Sequence, residues 1–230
     1  MIFVLRVIRL IFILFKCPES LLSISSRTGG IVEFSFSKGT IAFNKELNEL
    51  DELVIRFTSI LHKLEINYVI VSGYVAIVFG RSRATEDVDL MLKPLSIEKF
   101  SLLWRELHKN GFWCVNAFSE QEAFEDFLTQ KLAVRFAEEG KHMPNFELKF
   151  SSNPTHEYSL RHKIKVILNS KTFYTSSIEL QIAYKLYLGS DKDLEDAIHL
   201  WAIFKKHLDA SLVAYWASEL GVKDRLKELE

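Results

Sequence analysis

Residues 68–92, YVIVSGYVAIVFGRSRATEDVDLML, decide the fold that the sequence predicts. The run YVIV at its start is apolar and of the length that forms a buried strand. Ser72 and Gly73 interrupt this run, and the apolar residues 74–79 that follow predict a short helix. A polar loop with two arginines then leads to Asp87-Val88-Asp89, which opens a second predicted strand.

Asp87 and Asp89 are spaced for one face of that second strand, because side chains two residues apart on a strand point to the same side. Two ionised carboxylates so placed repel each other, and a divalent cation between them removes the repulsion. Oxygen ligands suit Mg²⁺, which proteins commonly hold with one or two carboxylates and substrate phosphates. Gly73 allows close approach of a phosphate, to which Ser72 and Gly73 would present backbone N–H groups. The stretch therefore predicts a metal clamp beside a phosphate-binding turn.

The same residues also have a purely structural interpretation. Both apolar halves of residues 68–80 are rich in β-branched side chains, which would suit two strands about a Ser-Gly turn. The two aspartates would then keep a strand edge polar and protect it against aggregation. The functional interpretation gains weight from the spacing of the Ser-Gly pair and from an acidic residue on a later predicted strand.

This stretch resembles the nucleotidyltransferase superfamily of DNA polymerase β, and the resemblance covers residues 31–209. The family has a Gly-Gly or Gly-Ser pair that opens a helix, then a strand with Asp-hydrophobic-Asp; Ser72-Gly73 and Asp87-Val88-Asp89 match this pattern. The wording Arg-x-Thr-x-Asp-x-Asp, from Arg83 to Asp89, is most similar to the abortive-infection toxin branch and its uncharacterised archaeal relatives. Ser72 is a departure, since that branch often has glycine there.

The resemblance implies a metal site of three carboxylates. Asp87 and Asp89 would bind two Mg²⁺ ions, and Glu147 would complete the site of the ion that activates the acceptor. Glu147 lies in the alternating stretch NFELKF, in which Glu147 and Lys149 face one way and the aromatic and leucine side chains the other. The alternative for Glu147 is a place on a solvated strand face, where acidic and basic residues alternate.

The resemblance also implies contacts to the nucleotide. The residues implied to bind it are Ser72, Gly73, Arg81, Arg83 and Lys185. An arginine in the loop would neutralise charge on the triphosphate. Lys185 would approach the nucleotide with Asp193 and Asp196 bracing it. Asp193 has an ordinary alternative, since acids in the first turn of a helix favour its positive end.

Length and composition indicate one domain, or one with a small helical appendage. The chain has 230 residues, and 48% are hydrophobic, enough for a sizeable core. A net charge of −1 gives no global field that would attract nucleic acid, so such a contact would need a local patch. Cys17 and Cys114 form no disulfide framework, which favours a reducing, cytoplasmic setting. Zinc is not expected, because no Cys-x-x-Cys or His-Glu-x-x-His spacing is present.

The first fifteen residues are strongly apolar but contain two arginines. The run is shorter than the ~20 residues that span a bilayer, and its internal charges do not fit a secretory signal. We interpret residues 1–30 as an extension outside the fold, followed by a nucleotidyltransferase-like core over 31–175 and a helical lobe over 176–230. Membrane association is not expected; a peripheral membrane protein held by residues 1–15 is the alternative.

The remaining pattern predicts an α/β (α+β) fold, with a mixed, antiparallel-rich sheet flanked by helices and a C-terminal helical lobe as one wall of a cleft. Hairpins are predicted at 33–43 and 132–150. A helix with an apolar stripe is predicted to run from Asn44 to Leu64. The predicted N-caps of later helices are Ser96, Ser119, Ser176, Ser190 and Asp209.

The predicted function is Mg²⁺-dependent transfer of a nucleoside monophosphate from an NTP to a hydroxyl acceptor. The acceptor would be an RNA 3′ end, a protein side chain or a small molecule. The resemblance implies a toxin-antitoxin setting in the cytoplasm. A second class keeps the fold without the chemistry: a binding or antitoxin-type module that holds nucleotide without turning it over.

Overall fold

The computed structural model describes residues 20–25 and 31–229, and these form one mixed sheet with helices on its faces. The strands are β1 (Ser20–Ser25), β2 (Ile31–Ser37), β3 (Thr40–Phe43), β4 (Tyr68–Val71), β5 (Asp87–Leu92), β6 (Phe112–Cys114), β7 (Val134–Glu138), β8 (Asn145–Phe150), β9 (Ile164–Leu168) and β10 (Lys171–Thr175). The helices are α1 (Glu49–Lys63), α2 (Gly73–Val78), α3 (Ile97–Lys109), α4 (Glu120–Glu122), α5 (Pro154–Arg161), α6 (Ile178–Leu188), α7 (Asp191–Phe204) and α8 (Ala210–Glu219). A π-helical turn at Ala123–Leu128 continues α4, and a 3₁₀ segment at Lys223–Leu229 follows α8.

The order of strands across the sheet is β1-β2-β3-β9-β10-β4-β5-β8-β7-β6. The pairs β3–β9, β10–β4 and β5–β8 are parallel, and the other pairs are antiparallel. The predicted α/β class with a mixed, antiparallel-rich sheet is therefore confirmed, as are the two predicted hairpins, β2–β3 and β7–β8. Helices α6, α7 and α8 pack on one another after the last strand.

The two faces of the sheet are covered by different helices. On one face, Phe57 of α1 stacks on Phe146 of β8 with their ring centroids 3.9 Å apart, and Val88 lies beside Phe146 in the parallel pair β5–β8. On the other face, Leu160 of α5 packs with Met91 of β5. Because strand side chains alternate, the residues of β5 that share the face of Met91 are Asp87 and Asp89. We call this second side the carboxylate face.

Helix α2 is held over the sheet by a polar contact inside the core. Tyr74, which is fully buried, donates a hydrogen bond of 2.9 Å to Oδ1 of Asp51, and Lys45 pairs with the other oxygen of Asp51 at 2.9 Å. Asp51 also forms a reciprocal capping box with Asn48, the N-cap of α1. The buried carboxylate of Asp51 is tolerated because both of its oxygens have hydrogen-bond or ion-pair partners.

Two predicted helix starts are wrong, and the others are confirmed. Helix α1 is capped by Asn48 and not by Asn44, because only Asn48 has an acid three residues later that completes a capping box. Helix α6 is capped by Ser177 and not by Ser176, whose hydroxyl donates to Gln181 instead. The confirmed caps are Ser96, Ser119, Ser190 and Asp209.

The segment predicted to lie outside the fold contains a strand of the sheet. Ser20–Ser25 is β1, which pairs antiparallel with β2 over its whole length. The rest of that segment, 1–19 and 26–30, lies outside the described residues, and with it the apolar run and Cys17. The described residues include no helix with both the length and the apolar character to cross a bilayer.

Candidate active site

Ser72 and Gly73 form a tight turn between β4 and α2. Ser72 has φ 62° and ψ −133°, outside the regions that most residues adopt. Its carbonyl oxygen accepts a hydrogen bond of 3.0 Å from the side-chain amide of Gln181 in α6, which secures the turn. A Cβ added to Gly73 would overlap Nη2 of Arg83, so glycine leaves room for the guanidinium in its observed position.

The sheet register brings the predicted carboxylates to one place. In the antiparallel pair β4–β5, Asp89 lies opposite Val71, the residue immediately before the Ser72-Gly73 turn. In the parallel pair β5–β8, Asp89 lies beside Glu147. Asp87, Asp89 and Glu147 therefore share the carboxylate face, next to the turn, as the spacing of the aspartates predicts.

Asp89 lacks full compensation for its negative charge. Burial raises its pKa, the charges of Asp87 and Glu147 raise it further, and Lys149 and a hydrogen bond from Ser72 lower it, with a net value of about 6. Because burial and the neighbouring negative charges disfavour its ionised form, a cation bound beside Asp89 would stabilise the carboxylate. Asp87 and Asp89 thus fit the pair of oxygen ligands that Mg²⁺ takes from a protein when phosphates supply others.

Glu147 differs from the aspartates, because it already has two cationic partners. Nε of Arg135 lies 2.7 Å from Oε1, and Nζ of Lys149 lies 3.1 Å from Oε2. Although burial raises the pKa of Glu147, these two hydrogen-bonded cations bring it below its ordinary value. Within residues 20–25 and 31–229, no three or more His, Cys, Asp or Glu side chains are grouped so as to hold a metal ion. Glu147 therefore lies beside Asp89 with both of its carboxylate oxygens already paired.

The predicted nucleotide-binding cations belong to a buried cluster centred on Asp196 of α7. Arg83 donates to both oxygens of Asp196 at 2.9 Å, and Nζ of Lys185 lies 2.9 Å from Oδ2. Lys185 also pairs with Asp193 at 2.7 Å. Arg81 pairs with Glu195, and its Nε lies 3.7 Å from Oδ1 of Asp196.

This cluster connects the candidate site to the C-terminal helices. Asp196 is fully buried and Lys185 almost fully, so removing either one would leave the charge of the other buried without its partner. Because Arg83 also fills the space next to Gly73, α7 positions a cation against the turn. These contacts agree with the bracing of Lys185 by Asp193 and Asp196 that the resemblance implies, and Asp193 also lies in the first turn of α7, as its alternative interpretation predicts.

Cavities lie on both sides of the sheet near the site. A small one, about 40 Å³, lies on the carboxylate face between α5 and α6, with His156 and Tyr184 in its wall. A larger one, about 650 Å³, lies between α1, the loop containing Arg83 and Thr85, and the turn between β7 and β8.

Three contributors to the site were not predicted as site residues. Arg135 and Lys149 flank Glu147, and Gln181 holds the carbonyl of Ser72. The alternation of NFELKF placed Lys149 on the face of Glu147, and that signal could have identified it. The place of Arg135 depends on the exact register of the predicted hairpin, and that of Gln181 on helix packing, and no local sequence pattern determines either.

Comparison with known proteins supports the fold. No family model and no curated protein matches the chain. An antigenic nucleotidyltransferase-like protein from Paracoccidioides brasiliensis is 19% identical, with 79% of this chain and 92% of that chain covered and a TM-score of 0.49. The antibiotic-resistance factor ANT(2'')-Ia is 11% identical, with 77% and 94% covered and a TM-score of 0.50. The lincosamide antibiotic adenylyltransferase LnuA, with lincomycin bound, is 11% identical, with 69% and 99% covered and a TM-score of 0.45. The likeness to ANT(2'')-Ia shows that the chain has a nucleotidyltransferase-like fold.

Proposed function

We propose that this chain is a Mg²⁺-dependent nucleotidyltransferase that moves a nucleoside monophosphate from an NTP to a hydroxyl acceptor. The observation that carries the proposal is the position of Asp87 and Asp89 beside the Ser72-Gly73 turn. Asp89 pairs in register with the residue that precedes the turn, so an ion on the aspartates would lie near backbone that can meet phosphates. The nucleotidyltransferase-like fold supports the same class of reaction.

In the proposed reaction the acceptor oxygen forms a bond to the α-phosphorus, and the bond from that phosphorus to the α–β bridging oxygen breaks. Pyrophosphate leaves with the electron pair of the broken bond. Mg²⁺, when bound, supplies positive charge to the triphosphate oxygens. Asp87 and Asp89 would hold it. Glu147, whose lowered pKa keeps it ionised at neutral pH, would accept the proton that the acceptor hydroxyl loses.

The cations of the Asp196 cluster have a supporting place in this proposal. Arg83 lies against Gly73 and would add positive charge beside the phosphates. Lys185 is buried among acids, so we assign it to holding Asp196 and Asp193 in place beneath the nucleotide site. Arg81, which is partly exposed, would reach the triphosphate by leaving Glu195.

The resemblance to the toxin branch favours an RNA 3′ end or a protein side chain as the acceptor, in a cytoplasmic toxin-antitoxin setting. The test is incubation of the full chain with each α-labelled NTP, Mg²⁺, and either total RNA or cell lysate. We expect label on one macromolecular fraction, and none with Asp89→Asn. Asp126→Asn, at an exposed position, is the matched control and should label like the wild type. A wild type that neither binds any NTP with Mg²⁺ nor transfers it would overturn the proposal.

One observation favours a second candidate, a silent module that binds nucleotide without transferring it. Both oxygens of Glu147 are engaged by Arg135 and Lys149, which leaves the proposed proton acceptor less available. Binding of Mg²⁺ and NTP with no label on RNA, protein or small molecules would support this candidate over the enzyme.

A further inference from the structure

The ammonium group of Lys149 lies between two residues of the carboxylate face, Asp89 and Glu147. Nζ of Lys149 is 3.1 Å from Oε2 of Glu147 and 3.8 Å from Oδ1 of Asp89. Arg135 engages the other oxygen of Glu147 at 2.7 Å. The space between Asp89 and Glu147, where an ion shared by the two would have to bind, is thus next to an ammonium group.

The strand register places the side chain of Lys149 on the carboxylate face, close to Glu147 and Asp89. Glu147 and Lys149 are two residues apart on β8 and therefore point to the same face. In the β5–β8 register Glu147 lies beside Asp89, and Lys149 lies beside Met91. Arg135 lies opposite Glu147 in the β7–β8 pair.

The balance of charge differs between the two ends of the site. Glu147 has two cationic partners at 2.7 and 3.1 Å, whereas the ion pair of Asp89 is with Lys149 at the longer distance of 3.8 Å. A divalent ion held by Glu147 would lie next to Arg135 and Lys149, and positive charges at such short distances repel one another. An ion on Asp87 and Asp89 relieves repulsion, while an ion on Glu147 adds it.

We propose that the site takes a single divalent ion, on Asp87 and Asp89, and that the Lys149 ammonium occupies the place of a second ion beside Glu147. This inference rests on the proposed function, because it specifies how that same site is built. It replaces the two-ion arrangement that the resemblance implies. Lys149 thereby supplies the positive charge on the acceptor side of the site.

The test counts bound ions and does not depend on turnover. Mn²⁺ stoichiometry is measured by electron paramagnetic resonance on the full chain, with a saturating NTP analogue whose α–β bridge is a methylene group. We expect one Mn²⁺ for each wild-type chain and two for Lys149→Met, with the second ion bound at least about tenfold more tightly than any second ion in the wild type. The side chain of Lys149 is 33% exposed, and methionine replaces its unbranched stem without the ammonium group, so the variant should fold.

Two matched variants make the test specific to Lys149. Arg135→Met frees the other oxygen of Glu147 but leaves the ammonium in place, so we expect it to bind one ion. Lys141→Met removes a lysine that pairs with Glu138 away from the carboxylate face, and should also bind one. Thermal melting of each variant shows whether it is folded before its ions are counted.

The outcomes separate this inference from the proposed function. Two ions in the wild type would overturn the single-ion site and leave the nucleotidyltransferase proposal in place. One ion in both the wild type and Lys149→Met, or two in Arg135→Met, would overturn the assignment to Lys149. A wild type that binds the analogue without any ion, or binds neither, would overturn both proposals.

Discussion

Replacing Asp89 by asparagine removes one charge from the carboxylate face and keeps the size of the side chain. The pKa of Asp89 is raised from 3.8, the ordinary value of an aspartate, to about 6 in the folded protein. The folded state therefore binds this proton more tightly than the unfolded state, and the stability that protonation provides is lost as pH rises through the folded pKa. Above that range the ionised carboxylate costs the folded protein about 3 kcal/mol.

Asparagine resembles the protonated acid and does not titrate. Asp89→Asn should therefore stabilise the metal-free protein by about 1.5 kcal/mol at pH 5 and about 3 kcal/mol at pH 7.5. At the higher pH this corresponds to an increase in Tm of about 6–12 °C for a chain of this size. The same variant should lose Mg²⁺-dependent NTP binding, because it removes one of the two proposed ligands of the ion.

The assay is urea denaturation of wild type and variant in EDTA at pH 5, 6, 7 and 7.5, with NTP and Mg²⁺ binding measured by calorimetry. The control is Asp126→Asn, which changes an exposed acid and should alter stability by less than about 0.5 kcal/mol at every pH. A variant that is no more stable than wild type at pH 7.5, or whose gain does not grow with pH, would refute the reasoning about burial and charge. Equal affinity for Mg²⁺ and NTP would refute the metal role.

Three further changes have expected outcomes. Glu147→Gln should leave NTP binding nearly intact and lower transfer by about 10²-fold, or ~3 kcal/mol, measured by single-turnover labelling; unchanged transfer would exclude Glu147 as the proton acceptor. Asp196→Asn should lower the free energy of unfolding, measured by urea denaturation, by about 3–5 kcal/mol, because it leaves Arg83 and Lys185 buried without their shared anion. A loss below about 1 kcal/mol would contradict the role of the cluster. Removal of residues 1–30 should give a folded domain with a Tm a few degrees lower and a stronger tendency to self-associate, because β2 becomes an unpaired edge strand. Thermal melting and light scattering measure these two effects, and a truncated chain that does not fold would contradict the prediction.

The sequence predicted the parts of the fold that short-range patterns determine. Strand β4 follows from the apolar run that ends at Ser72-Gly73, and β5 follows from Asp87-Val88-Asp89 and the apolar residues after it. The shared face of Asp87 and Asp89 follows from the alternation of strand side chains, and the register confirms it. Helix starts were predicted to within a few residues. At α1 the N-cap is Asn48 and not Asn44, because Asn48 forms a capping box with Asp51, which also accepts a hydrogen bond from Tyr74 of α2.

The rest depends on contacts between distant parts of the chain. Arg83 and Asp196 are 113 residues apart, and only the packing of α7 against α2 brings them together. Arg135 reaches Glu147 only because β7 pairs with β8 in one register out of several possible. The pairing of β1 with β2 was likewise missed, since a lone strand has no signal that identifies its partner. Local patterns thus predicted which charged residues belong to the candidate site, and tertiary packing determines which of them form ion pairs.

The guanidinium of Arg83 fills the space where a side chain at position 73 would lie, so the effect of substituting Gly73 depends on the residue at position 83. Alanine at 73 would push the guanidinium away and break its fork with Asp196, although the methyl group itself is small. With a short side chain at 83, the same alanine would have no neighbouring atom closer than 3.5 Å, which is ordinary van der Waals contact. Replacing Gly73 therefore costs less stability in a chain that has already lost Arg83, so the order of the two mutations sets the stability of the intermediate variant.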